Sequence, residues 1–194
     1  MRDVDEKLHQ AIRMKDLGAV GDALALGASP DAAWSLSWGT MVAHAAMSGT
    51  AEVLARLLKA GGSPDRIEGV LPAPLDMAMR STLEWRAKAR LLLDAGASPD
   101  GVSALTNAAQ KVDQHAVEAV KLLLDAGADP DRVEPGSHWT ALTCAVCSEN
   151  APLAALLVDH GARADVPIRF DTVQAQLTRG MTAWHIGLAC AAWP

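Results

Sequence analysis

One short tag recurs along the chain: GASPD at 27–31, GGSPD at 61–65, GASPD at 96–100, GADPD at 127–131 and GARAD at 161–165. The leading glycines, Gly27, Gly61, Gly96, Gly127 and Gly161, are 34, 35, 31 and 34 residues apart. A period of that size belongs to stacked repeats, in which each unit buries one face against its neighbour, rather than to a single wound core. Half of the 194 residues are apolar, enough to fill the interfaces that stacking creates and too many for a disordered chain.

The tags also mark where helices stop. Before each lies an apolar stretch with Leu and Val at helical spacing: GDALAL, EVLARLLKA, KARLLLDA, EAVKLLLDA and LAALLVDH. A glycine then follows where a left-handed residue ends a helix at little cost, and Pro and Asp begin a turn. Ahead of each of these helices is a second, shorter one: LHQAI at 8–12, TMVAHAAMS at 40–48, APLDMAM at 73–79, SALTNAA at 103–109 and TALTCAV at 140–146. Small alanines at their centres let neighbouring backbones approach closely.

Read together, these units resemble ankyrin repeats, whose pattern is a Thr-Pro-Leu-His-x-Ala-Ala helix start, a Gly-His-x-Glu second helix and a Gly-Ala-Asp close. TMVAHAAMSGTAEVLARLLKAGG at 40–62 follows it nearly throughout, LHQA at 8–11 keeps the Leu-His pair, and GMTAWHIG at 180–187 keeps the Gly-x-Thr entry and His185. The resemblance implies an all-α solenoid of stacked helix pairs with β-turn fingers. It would be one domain over residues 1–194, with about five full pairs and a terminal half-repeat. It implies non-catalytic protein binding through the concave face, and it leaves the partner open.

The units differ in their connections. The finger between Asp100 and Ser103 is nearly absent, whereas the one between Asp165 and Thr182 is long. The links within pairs are expected to lengthen at RSTLEWRAKAR (80–90) and QKVDQHAVEAVK (110–121). Such insertions map to exposed loops, where specificity is carried.

Charge and cysteine content narrow the partners. The formal net charge is −6 and no Lys/Arg run occurs, which argues against nucleic acid and makes a basic protein partner the expectation. An immunity or antitoxin protein that plugs a basic toxin is the alternative. No long apolar run and no signal-peptide pattern is seen, so a cytoplasmic location away from membranes is expected. Three cysteines fit a reducing compartment. Abundant Ala with scarce Lys, Asn and Ile matches a GC-rich, bacterial genome.

No catalytic machinery is visible: there is no G-x-S-x-G elbow, phosphate loop or H-E-x-x-H, and no cofactor is implied. CAVC at 144–147 has dithiol spacing but lacks a thioredoxin-like context, and small residues in close-packed helices account for it. A zinc site would have to combine Cys144, Cys147, Cys190 and His185 without a second paired motif. This redox or metal protein is the remote alternative. The histidines follow the repeat: His9 and His185 at the Thr-Pro-Leu-His position, His160 at a helix C-terminus. Asp31, Asp65, Asp100, Asp131 and Asp165 are expected to form turns rather than a cation ladder.

The candidate binding residues come from the fingers and from the positions just after each small-residue pair. They are Trp34, Trp38 and Trp139 from fingers, Met47, Arg80 and Lys111 from helix ends, and Phe170 from the long finger 166–179. Indoles supply large rigid contact area with a donor, and the opposing reading packs them beneath the fingers. Trp85 is expected at the outer edge of a helix pair and Trp184 in the core. From Gly180 to Pro194 no Asp, Glu, Lys or Arg occurs. That end either folds into the groove left by a missing helix or exposes an apolar surface for a second copy or a partner; association is the expectation.

Overall fold

A computed structural model describes residues 2–35, 39–65, 73–101, 103–111, 114–133 and 139–164. Its backbone divides into two compact units, Met1–Gly101 and Val102–Pro194. The first contains α1 (Asp3–Met14), α2 (Leu17–Ala25), β1 (Ala33–Ser35), β2 (Gly39–Thr40), α3 (Met41–Ser48), α4 (Ala51–Lys59), α5 (Pro74–Arg80) and α6 (Trp85–Asp94). The second contains α7 (Ala104–Ala109), α8 (Gln114–Asp125), α9 (Ala141–Cys147) and α10 (Ala151–Asp159).

Consecutive helices pair, and the pairs stack in register. In the first unit α1, α3 and α5 form one layer and α2, α4 and α6 the other; in the second, α7 packs on α9 and α8 on α10. The short helices supply the core: Met41 to Ala46 in α3, which lies between α1 and α5 and against α4, and Pro74 to Met79 in α5, which packs on α3 and α6, are buried at every position. Longer helices bury one stripe, such as Val53, Leu54 and Leu57 in α4. The architecture is the expected all-α stack of helix pairs. Among the described residues the only sheet is the first finger, where β1 pairs antiparallel with β2, Ala33 opposite Thr40 and Ser35 opposite Gly39.

Helix starts are written locally. Asp16, Thr40, Thr50, Thr140 and Asn150 each accept the backbone N–H three residues on, at 3.0–3.2 Å. Helix stops are equally regular. Gly27, Gly61, Gly96, Gly127 and Gly161 have φ between 88° and 93°. Around Gly27, its N–H bonds Leu24 and the N–H of Ala28 bonds Ala23, both at 3.0 Å, the paired closure of a Schellman end. A Cβ at Gly27, Gly61, Gly96, Gly127 or Gly161 would meet nothing within 4 Å, so backbone conformation and not space demands glycine there.

Two expectations need correction. The link at 80–90 does lengthen, to Ser81–Glu84 where α3 and α4 are joined by Gly49–Thr50 alone, but the rest of that span is helix, since α6 begins at Trp85. Much of 110–121 is likewise the start of the longer α8, because its apolar stripe continues the helical period. The aspartates do more than turn. Asp31 accepts the Ser63 N–H at 2.9 Å, Asp65 the Ser98 N–H at 2.9 Å with both oxygens, and Asp131 the Arg163 N–H at 2.7 Å. Asp5 of α1 does the same for Ser29 at 3.0 Å. The turn itself is closed by the third tag residue, as when Ser29 Oγ accepts the Asp31 N–H. Asp31, Asp65 and Asp131 thus fasten their tags to the following ones; Asp165 lies outside the described residues.

Candidate binding face

The inner layer of the first unit ends in an edge built from equivalent positions of α1, α3 and α5. His9 of α1 stacks on His44 of α3 with ring centroids 4.7 Å apart and planes at 27°. One turn further along the same faces come Arg13 and Met47. Met47 in turn is tied to the end of α5: Ser81 Oγ donates to the Met47 carbonyl at 2.8 Å. Arg13, Met47 and Arg80 therefore form one row, with Arg13 and Arg80 exposed and Met47 half-buried.

A buried lysine holds this edge from behind. Lys88 of α6 is fully buried, and its ammonium lies 2.8 Å from Ser81 Oγ, 3.2 Å from the Gly49 carbonyl and 3.5 Å from the Met47 carbonyl. It thereby serves the unsatisfied C-terminal carbonyls of α3, where a cation also complements the helix dipole. Glu84 completes the tie by accepting the first N–H of α4, that of Ala51, at 2.8 Å. Sequence reasoning passed over Lys88. Its signal was position: Trp85, Lys88, Ala89 and Leu92 form the buried stripe of α6, and a lysine in such a stripe requires acceptors.

Electrostatics at the row favour a neutral imidazole. Burial pushes the His44 pKa down to about 4, helped by His9 and Arg13. Its Nδ1 is buried and has no hydrogen-bond partner among the described residues. His9 is lowered too, by burial and then by Arg13, with Glu6 opposing. Asp5 behaves differently: burial alone would raise it, but the Arg2 guanidinium at 2.9 Å and the Ser29 N–H hold it below the usual value.

The other candidates fall in different places. Trp34 lies within β1, although its side chain, like Trp38 and Phe170, is outside the described residues. Trp85 is buried at the start of α6 with the Arg86 guanidinium 5.4 Å from its ring centre. Lys111 and Trp139 belong to the second unit and are both half-buried. Burial pushes the Lys111 ammonium pKa down. Counted from the small pair Ala108–Ala109, Gln110 matches Met47 and Arg80, and Lys111 stands one place on, where the other units carry Ser48, Ser81 and Ser148. Cys144 is buried and Cys147 exposed, both as free thiols. No group of three or more His, Cys, Asp or Glu side chains suited to a metal occurs among the described residues. His185, Trp184 and Cys190 lie beyond them.

The model of a known family, ankyrin repeats in three copies, matches residues 45–169 and 105–190, together most of the chain. This is an ankyrin-repeat protein. No curated protein matches it. Ankyrin repeats are generally protein–protein interaction modules and generally non-catalytic. In this ankyrin-repeat protein no described helix is long and apolar enough to cross a membrane.

Proposed function

We propose that the chain is a single non-catalytic ankyrin-repeat domain over residues 1–194 that binds a protein partner through its concave face and fingers. Trp34, Trp38, Met47, Arg80, Lys111, Trp139 and Phe170 are the residues assigned to that contact, with Arg13 added. One observation carries the reading: the row Arg13, Met47, Arg80 keeps its side chains accessible while the backbone beneath it is fastened by Ser81 and Lys88. A fixed backbone with accessible side chains is a surface prepared for contact, because less ordering entropy is lost on binding. The narrower reading, a cytoplasmic immunity or antitoxin protein, rests on the net charge of −6 alone.

A photo-crosslinking amino acid placed at position 47 or 80 tests the face, with positions 52 and 94 on outer helices as controls. Protein adducts in extracts of the source cell are expected at 47 and 80 and not at 52 and 94. Adducts confined to the outer positions would reject the concave face.

A further inference from the structure

The net charge of the chain says little about the charge that a partner meets at this row. Exposed groups more than about 8 Å apart are largely screened at physiological ionic strength, so the local set decides contact chemistry. Where α1, α3 and α5 end, the equivalent positions are Arg13-Met14-Lys15, Met47-Ser48-Gly49 and Arg80-Ser81-Thr82: three cations and no acid. Arg13, Lys15 and Arg80 are exposed and form no ion pair among the described residues. The nearest acids along the chain keep their charge but are held on backbone N–H groups, Asp16 on that of Ala19 at 3.0 Å, the buried Asp76 on that of Ala73 at 2.9 Å and Glu84 on that of Ala51 at 2.8 Å. Asp31 and Asp65 are occupied by the next tags. Outer helices of the same unit instead mix signs, with Asp22, Glu52 and Asp94 exposed beside Arg56, Lys59 and Arg90.

The same edge carries apolar surface. Met14 is 78% exposed, Leu83 37%, and Met47 is half-buried between the two arginines of the row. Methionine adapts its shape to an incoming apolar side chain, and arginine binds carboxylates through two parallel N–H bonds. We propose that Arg13, Met14, Lys15, Met47 and Arg80 dock a short acidic segment of a protein partner, one apolar side chain seated on the methionines between carboxylates held by the arginines. This rests on the concave-face reading and assigns the partner's chemistry.

The probe is a library of random twelve-residue peptides displayed on phage, selected against the full chain. Enriched peptides are then measured by fluorescence anisotropy against the wild type, an Arg13→Glu/Arg80→Glu variant and Met47→Asp. All three must show the same cooperative melting, which the exposure of Arg13 and Arg80 favours. Enriched peptides with Asp or Glu on both sides of an apolar residue are expected, with affinity falling about tenfold or more in the double charge reversal. Selection of basic peptides that Met47→Asp abolishes would overturn the acidic assignment while leaving the concave face standing. Peptides indifferent to all the substitutions, or no enrichment, would overturn the proposal, and indifference would count against the face as well.

Discussion

Acid should loosen this protein well above the pH at which carboxylates titrate, and the reason lies in one ring. His44 is packed against His9 at 4.7 Å, is only 8% exposed, and has Arg13 close enough to oppose its protonation. In the fold its pKa is about 4, against 6.5 in the unfolded chain. Because the folded value is depressed, the unfolded state takes up the proton first as pH falls. The contribution to stability is therefore complete above pH 6.5 and is lost as pH drops through 6.5 towards 4. Integrated between pH 7 and pH 5, the difference is about 2 kcal/mol, a large share of the stability of a domain this size. Asp5 does not interfere, since its pKa is held below 3.8 and its own loss begins only under that pH. Urea unfolding of the wild type and of His44→Met at pH 7, 6 and 5 measures the effect. The wild type should lose about 2 kcal/mol more than the variant across this range. His9 remains in both, and its own lowering comes from burial and Arg13, opposed by Glu6, none of which the substitution removes; a His9→Gln background checks the coupling between the two rings. Parallel pH dependence in the two proteins would refute the argument, as would a wild type that gains stability towards pH 5.

Four further outcomes are expected. Lys88→Met keeps the apolar stem but leaves Ser81 Oγ and the carbonyls of Met47 and Gly49 without the ammonium, and should cost about 2–4 kcal/mol in urea unfolding; a cost below about 0.5 would show that water replaces it. Asp65→Ala removes both bonds to the Ser98 N–H at an exposed site and should cost about 1 kcal/mol, whereas Asp22→Ala on the exposed face of α2 should be neutral within about 0.5. Trp139→Ala should leave melting nearly unchanged and weaken a crosslinked partner by about 2 kcal/mol; lost stability with kept affinity would make it a packing residue. Light scattering of the full chain against Trp193→Asp tests association through the uncharged segment 180–194, and a strictly monomeric wild type at high concentration without partner contact near Trp193 would end that idea.

What the sequence disclosed was whatever is decided within one turn of chain. Gly27 and its counterparts stop helices because their φ is positive, a local demand; the caps Thr40, Thr50 and Thr140, which bond N–H groups three residues away, are equally local although sequence reasoning passed over them as caps. Both kinds of signal repeat, so period and pairing follow. The roles of Asp31, Asp65 and Asp131 were hidden because their acceptor oxygens serve a tag about one period further on, and an Asp in a turn looks the same whether it bonds its own loop or the next. Lys88 was hidden for a similar reason: its acceptors lie 39 and 41 residues earlier in sequence. The offset between Lys111 and the Met47–Arg80 row arose from counting at a helix end, where one residue shifts a side chain by about 100° around the axis.

These long-range bonds also explain how a row of exposed side chains stays in place. Within the first unit, the tag side is held by Asp31 on Ser63 and Asp65 on Ser98, and the helix-turn side by Ser81 on Met47, Lys88 on Gly49 and Glu84 on Ala51. Nearly all of these bonds end on backbone N–H or C=O groups, whose chemistry is the same whatever side chain the residue carries. The side chains of Arg13, Met47 and Arg80 enter none of them, so they can be exchanged without loosening the stack. A substitution there should move affinity and leave stability, whereas one at Lys88 or Asp65 should move stability directly and affinity only through the edge it holds. That division lets one scaffold present a chosen charge pattern, here cationic with methionine between, on a chain whose overall charge has the opposite sign.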